Sequence, residues 1–164
     1  MRFVTVFTLL LLPAFVSAGK LTSVEIQLDK NISLAFTIEQ FVKSEYKVTD
    51  CGGGYICLVN DKPLWGADGK LAESTLKNML VNIKGRKIEL DTAGMFNPMI
   101  SMAGKHKFQV LNYYDDAWKV RGVFSDGAGT YYAEWLVANG NSMRIVIGDS
   151  ELLHDAFTHI FNKK

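Results

Sequence analysis

Residues 107–148, KFQVLNYYDDAWKVRGVFSDGAGTYYAEWLVANGNSMRIVIG, decide the fold. They contain four runs that predict β-strands: KFQVLNYY, WKVRGVF, YYAEWLV and SMRIVIG. In these runs apolar or aromatic side chains recur at every second position, the period of a strand whose successive side chains point to opposite faces. The connections between them are short: Asp115-Asp116, residues 125–130, and Asn139-Gly140-Asn141. Short connections join antiparallel neighbours, so this stretch predicts a four-stranded antiparallel meander.

The first half of the chain follows the same period. LTSVEIQL and NISLAFTIEQF are strand patterns, and Asp29-Lys30-Asn31 between them predicts a hairpin turn. YICLV and KIEL are shorter strand patterns, whereas STLKNMLVNI fits either the start of a helix or a strand. The segment DTAGMFNPMISMAG contains Asn97-Pro98 and two glycines, which argue against a regular element there.

The end of the chain has a different period. Six apolar residues recur there at helical spacing: Leu152, Leu153, Ala156, Phe157, Ile160 and Phe161. We therefore predict one amphipathic helix over about residues 150–162, packed across one sheet. The fold class is mainly β (α+β), with about eight antiparallel strands in a single sheet, a sandwich or a partly open barrel.

The first eighteen residues, MRFVTVFTLLLLPAFVSA, have the layout of a secretory signal peptide. One cation, Arg2, precedes an apolar run that is too short to span a bilayer, and Ala18 ends a small-residue cleavage pattern. We therefore expect cleavage after Ala18 and a periplasmic or secreted protein. The remaining residues, 19–164, are of a length typical of a single domain.

Charge and composition exclude several partners. The first eighteen residues hold one of the 18 Lys and Arg residues and none of the 17 Asp and Glu residues, so residues 19–164 have zero formal charge. A neutral domain gives no electrostatic reason to bind nucleic acid. No further apolar run approaches the roughly 20 residues of a membrane helix, so no membrane span is expected. No motif for a cofactor is present, and none is predicted.

The chain has two cysteines, Cys51 and Cys57, and their pairing would be consistent with an exported protein. An oxidising compartment favours their pairing, and the intervening GGGYI lets the chain turn back tightly. We predict a structural disulfide across a turn. A redox-active pair is disfavoured because the spacing is not C-x-x-C and no helix pattern follows it.

Glu134 is a carboxylate inside the apolar strand pattern YYAEWLV. Arg121 and Arg144 occupy the middles of the two neighbouring strand patterns, so a structural ladder Arg121–Glu134–Arg144 across three strands would explain all three charges. The alternative is a small cell-envelope hydrolase in which Glu134 and Asp126 serve as paired carboxylates. His154 and His159 lie about 140° apart on the predicted helix, which does not match a metal-binding pair, and no metal site is predicted.

Aromatic residues cluster beside glycine-containing loops. The loop at residues 125–130 is longer than a minimal hairpin turn and is flanked by aromatic side chains. A second loop, WGADG, adds another tryptophan and an aspartate. Tyrosine and tryptophan near flexible loops suit a contact surface, although they can equally fill a core. The candidate binding residues are Trp65, Asp68, Tyr114, Asp126 and Tyr132.

Three classes of function remain open. The first is an exported, non-enzymatic binding protein whose partner is a protein of the same compartment, such as an inhibitor or immunity protein that blocks that partner. The second is the hydrolase with Glu134 and Asp126 already described. The third is a carrier that holds an apolar ligand in a β cavity. The absence of a recognisable catalytic motif favours the first class.

Overall fold

The computed structural model describes residues 19–100, 102–149 and 151–161, so the predicted signal peptide lies outside the described residues. The described chain is mainly β, as predicted. Its strands are β1 (Leu21–Asp29), β2 (Ile32–Gln40), β3 (Val48–Asp50), β4 (Ile56–Val59), β5 (Lys62–Pro63), β6 (Ser74–Ile83), β7 (Arg86–Leu90), β8 (Phe108–Tyr114), β9 (Ala117–Phe124), β10 (Tyr131–Ala138) and β11 (Asn141–Gly148). One helix, α1 (Glu151–Phe161), follows them.

The strands form three antiparallel sheets, none of them closed. Sheet 1 has the order β1-β2-β6-β7, and sheet 2 has the order β11-β10-β9-β8. The predicted meander is sheet 2. The ambiguous segment STLKNMLVNI is β6, a central strand of sheet 1. A small third sheet has the order β3-β4-β5.

Sheets 1 and 2 bury a common core. Trp135, Phe124 and Tyr131 from sheet 2 belong to the same buried cluster as Phe36 and Met79 from sheet 1. Each fully buried side chain of this size contributes about 1.5–3 kcal/mol of hydrophobic stabilisation. At the edge where β7 meets β11, the Trp135 indole Nε1–H donates to the carbonyl of Asp91 at 2.9 Å. The core is therefore built from side chains of both sheets.

The disulfide is present, and it closes the connection between β3 and β4. Gly52, Gly53 and Gly54 inside that connection all have positive φ, at 123°, 63° and 82°. Glycine adopts these angles without a steric penalty, which explains the glycine run between the cysteines. The exposed ring of Tyr55 lies against Gly69, and the Ile56 N–H donates to the Gly69 carbonyl at 2.8 Å. The disulfide-closed turn therefore supports the neighbouring loop.

Helix α1 covers part of the outer face of sheet 2, as predicted for an amphipathic helix. Phe157 is buried against the ring of Tyr132, with the ring centroids 5.3 Å apart. The Arg121 guanidinium lies 5.7 Å from the same Phe157 ring centroid. Within the described residues, no helix is both long enough and apolar enough to cross a membrane.

Candidate functional site

Three loops meet to form an open cavity of about 450 Å³. The loops are residues 64–73, 97–100 and 125–130, and we call them together the loop cluster. The cavity wall combines charged, polar and apolar side chains. The lining residues are Ile38, Gly66, Ala67, Asp68, Lys70, Leu71, Glu73, Ser74, Asn97, Met99, Ile100, Ser125, Asp126 and Gly129.

Asn97 ties the loops to each other. Its side-chain Oδ1 accepts hydrogen bonds from the backbone N–H groups of Glu73 at 2.9 Å and Ser74 at 3.1 Å. Its Nδ2 donates to the Gly66 carbonyl at 3.1 Å. Both ends of one amide are thus used, so this side chain fixes the spacing of the first two loops. The third loop joins through the Ser125 N–H, which donates to the Pro98 carbonyl at 3.0 Å.

The backbones approach closely at Gly66. Its φ is +95°, and a Cβ placed there would lie 2.1 Å from the carbonyl oxygen of Phe96 and 2.8 Å from a ring carbon of Tyr131. A Cβ on Gly129 would lie 3.0 Å from the Gly66 carbonyl oxygen. Glycine at position 66 is therefore a packing requirement, because any side chain would push two loops apart.

Backbone strain is concentrated on this cavity. Five of the non-glycine residues with left-handed backbone in the described chain lie in two-residue turns between strands: Asn60, Asp61, Lys84, Asp115 and Asn139. The other four have φ between 40° and 61°, and every one of them lines the cavity: Asp68, Asn97, Met99 and Ser125. Asparagine and aspartate adopt this conformation more readily than methionine or serine. Strain of this kind persists where surrounding structure enforces it, and it clusters at binding and active sites.

The loop at residues 125–130 forms a ridge between two cavities. Ser125 and Asp126 line the first cavity and also a second one of about 620 Å³, which Lys107 and His154 line from the other side. The Lys107 Nζ donates to the Ser125 carbonyl at 3.0 Å and so anchors the base of the ridge. Asp126, Gly127 and Ala128 are exposed at its crest.

The structure brings two of the five candidate binding residues into the first cavity, Asp68 and Asp126. Tyr132 is only 2 % exposed and lines the second cavity beneath α1. Trp65 is half-buried against the main core. Tyr114 is 72 % exposed at the end of β8, and it lines neither cavity of the loop cluster.

Sequence reasoning did not select Asn97, Met99 or Ser125 as site residues. The sequence does indicate the loops themselves: Asn97-Pro98 excludes a regular element at the second loop, and the length of residues 125–130 predicts the third. The left-handed backbone of Met99 and Ser125 had no signal in the sequence, since neither residue type favours that conformation.

Glu134 lies outside the loop cavity and forms a buried charge cluster on sheet 2. It sits directly opposite Arg121 in the β9–β10 register, and its carboxylate accepts from the Arg121 Nε. The Lys119 Nζ is 3.2 Å from the other carboxylate oxygen. Two cations therefore compensate one buried carboxylate, and the aromatic ring of Phe157 lies over the Arg121 guanidinium.

The predicted third member of the ladder, Arg144, is not part of this cluster. In the β10–β11 register Arg144 lies opposite Trp135, and a shift of one residue beyond that pair places Val146 opposite Glu134. Arg144 instead pairs with Asp91, with Nη2 and Oδ2 3.2 Å apart. The turn Asn139-Gly140 is the physical reason: the regular ladder that starts there places Arg144 opposite Trp135, whose side chain points to the other face of the sheet from Glu134.

Burial controls the two adjacent tyrosines of β10. Burial raises the pKa of Tyr131 well above its usual value, while the positive charge of Arg144 lowers it slightly. Burial and the nearby carboxylate of Asp155 raise the pKa of Tyr132. Both phenols are therefore neutral at physiological pH.

No protein family, curated protein or solved structure matches this chain. Among the described residues, no group of three or more His, Cys, Asp and Glu side chains is placed to hold a metal ion.

Proposed function

We propose that this protein is an exported, non-enzymatic binding protein that uses the loop cluster to dock a protein partner, as an inhibitor or immunity protein does. One observation carries the proposal. Among the described residues, the four non-glycine residues with left-handed backbone that lie outside two-residue turns all line one open cavity. Strained loops on a rigid β scaffold are a common arrangement for recognition, because the scaffold fixes loops whose backbone would otherwise relax.

Two features support export. The Cys51–Cys57 disulfide and the finding on membrane helices are compatible with a periplasmic or extracellular protein. The N-terminal pattern of Arg2, an apolar run and a small-residue site ending at Ala18 is the second support.

The alternatives receive less support. A hydrolase with Glu134 and Asp126 would need both carboxylates at one site, but Glu134 is buried between Arg121 and Lys119 and lines neither cavity beside Asp126. A carrier would need an apolar cavity between the sheets. That interior is occupied by large side chains such as Trp135 and Phe36, both almost fully buried.

The proposal can be tested by a substitution on the ridge formed by residues 125–130. Ala128→Arg places a long side chain on the exposed crest, where it would obstruct docking without entering the core. Ser44→Arg, in an exposed 3-10 turn that lines neither cavity, is the matched control. We expect a stoichiometric protein complex, isolated from the producing cell's envelope and medium, with the wild type and Ser44→Arg but not with Ala128→Arg. Equal retention by all three proteins, or no retained protein with the wild type, would contradict the proposal.

A further inference from the structure

The first cavity has an excess of negative charge. Four charged side chains line it, and three are carboxylates: Asp68, Glu73 and Asp126, against the single ammonium of Lys70. None of these four forms an ion pair with another residue in the part of the chain that the structure describes. A concave wall of low dielectric strengthens the field of such charges, so the cavity favours a cation.

An apolar wall stands beside these carboxylates. Ile38, Leu71, Met99 and Ile100 line the same cavity, and Leu71 and Met99 are partly open to solvent. A small inorganic cation would gain nothing from this wall. A basic side chain would, because its methylene stem can lie on apolar surface while its charged head reaches the carboxylates.

Ser125 supplies a second, independent indication of a ligand. The residue is only 3 % exposed and lines the cavity. Its N–H donates to the Pro98 carbonyl and its own carbonyl accepts from Lys107, but its hydroxyl makes no hydrogen bond in the described structure. The hydroxyl is not among the fully enclosed side-chain atoms that lack a partner, so on an otherwise buried residue it is open to the cavity and placed to bond to something that enters it.

We infer that the cavity receives an arginine side chain of the partner protein, an inference that rests on the function proposed above. Arginine is favoured over lysine because a guanidinium offers five N–H donors in a planar fork. The acceptors available to it are the carboxylates of Asp68 and Asp126 and the hydroxyl of Ser125. The aliphatic part of the side chain packs on Leu71 and Met99.

The probe is the capped pentapeptide Ac-Gly-Gly-Arg-Gly-Gly-NH₂, titrated into purified, oxidised protein and followed by amide chemical shifts. Its control replaces arginine with citrulline, which keeps the shape and removes the charge. A third peptide carries lysine. We expect saturable shifts at Asp68, Asn97 and Ser125 with a Kd on the order of a millimolar for the arginine peptide. Weaker binding is expected with lysine and none with citrulline.

The variant Asp68→Asn combined with Asp126→Asn removes two carboxylates and keeps the side-chain shape. Asparagine tolerates the left-handed backbone of position 68, so the loop is retained. Loss of the charge-assisted hydrogen bonds should weaken arginine binding about tenfold or more. Asp115→Asn is the matched control, because Asp115 is exposed, has a φ of 41° and lines neither cavity of the loop cluster. We expect wild-type binding from it.

Two results would overturn the inference: no saturable shift at the cavity residues, or binding that citrulline or the double variant leaves unchanged. The partner experiment separates this failure from that of the proposed function. If a protein partner is retained by the wild type and equally by the Asp68→Asn, Asp126→Asn variant, docking stands and the arginine inference fails. If no partner is retained at all, the proposed function fails.

Discussion

Replacing Glu134 by glutamine should cost this protein much of its stability. The Glu134 side chain is 7 % exposed, while those of Arg121 and Lys119 are 14 % and 24 % exposed. The substitution leaves two largely buried cations next to each other with no charge to compensate them. Removing one partner of a buried pair typically costs about 3–5 kcal/mol. Because both cations retain some access to water, we expect a loss of about 2–4 kcal/mol, which for a domain of this size lowers Tm by roughly 6–13 °C.

The measurement is urea denaturation followed by tryptophan fluorescence, with the midpoint compared at an unchanged m-value. Glu39→Gln is the matched control, because it removes the same charge from the Glu39–Lys77 ion pair, in which the Lys77 side chain is 57 % exposed. The Glu39 side chain is 18 % exposed, and an ion pair whose cation lies largely in water contributes at most about 1 kcal/mol. If Glu134→Gln destabilises the protein no more than Glu39→Gln, the charge cluster is not structural and the reasoning is refuted.

Three further predictions concern stability. Tyr131→Phe should raise the free energy of unfolding by about 1 kcal/mol, because the buried hydroxyl has no hydrogen-bond partner in the described structure. Burial raises the pKa of Tyr131 in the folded state, so this phenol ionises first in the unfolded chain. Above pH 10 its ionisation should therefore lower the free energy of unfolding of the wild type by about 1.4 kcal/mol per pH unit. Urea denaturation of Tyr131→Phe at the same pH values should lack this contribution. Replacing Cys51 and Cys57 by serine should lower the free energy of unfolding by about 2 kcal/mol, because the disulfide is lost. A reductant should lower the Tm of the wild type and leave the Tm of the variant unchanged. Gly66→Ala should lower the free energy of unfolding, measured by urea denaturation, by at least about 2 kcal/mol more than Gly140→Ala does. The reason is that a Cβ at position 66 would lie 2.1 Å from a backbone oxygen, whereas a Cβ at position 140 would meet open space. Equal losses of stability would contradict the close approach of the loops.

The strands of sheet 2 could be predicted because their signals are local. Alternating side chains identify each strand, and short turns such as Asn139-Gly140 fix the antiparallel pairing of the next one. The strand β6 could not be assigned with the same ease. It lies between β2 and β7, with residues buried or half-buried on both faces, so polarity does not alternate along it.

The arrangement of the site depends on contacts that sequence spacing does not contain. The sequence places Asp68 and Asp126 in separate glycine-containing loops, and their shared cavity arises because Asn97 and Gly66 hold the loops together. The error at Arg144 has a different origin. Central positions in neighbouring strand patterns need not pair: the register that the Asn139-Gly140 turn sets places Arg144 opposite Trp135, on the other face of the sheet from Glu134.

Stability and binding should be separable in this molecule because they depend on different side chains. The Glu134 cluster lies on the outer face of sheet 2, where Phe157 of α1 covers Arg121, and Glu134 lines neither cavity of the loop cluster. The loop cluster is held together instead by the side-chain hydrogen bonds of Asn97 and by the close backbone approach at Gly66. At temperatures where Glu134→Gln is still folded, it should therefore bind the arginine peptide with wild-type affinity. A parallel loss of stability and binding would mean that the two regions form one cooperative unit, and a catalytic or binding role for Glu134 would then need to be reconsidered.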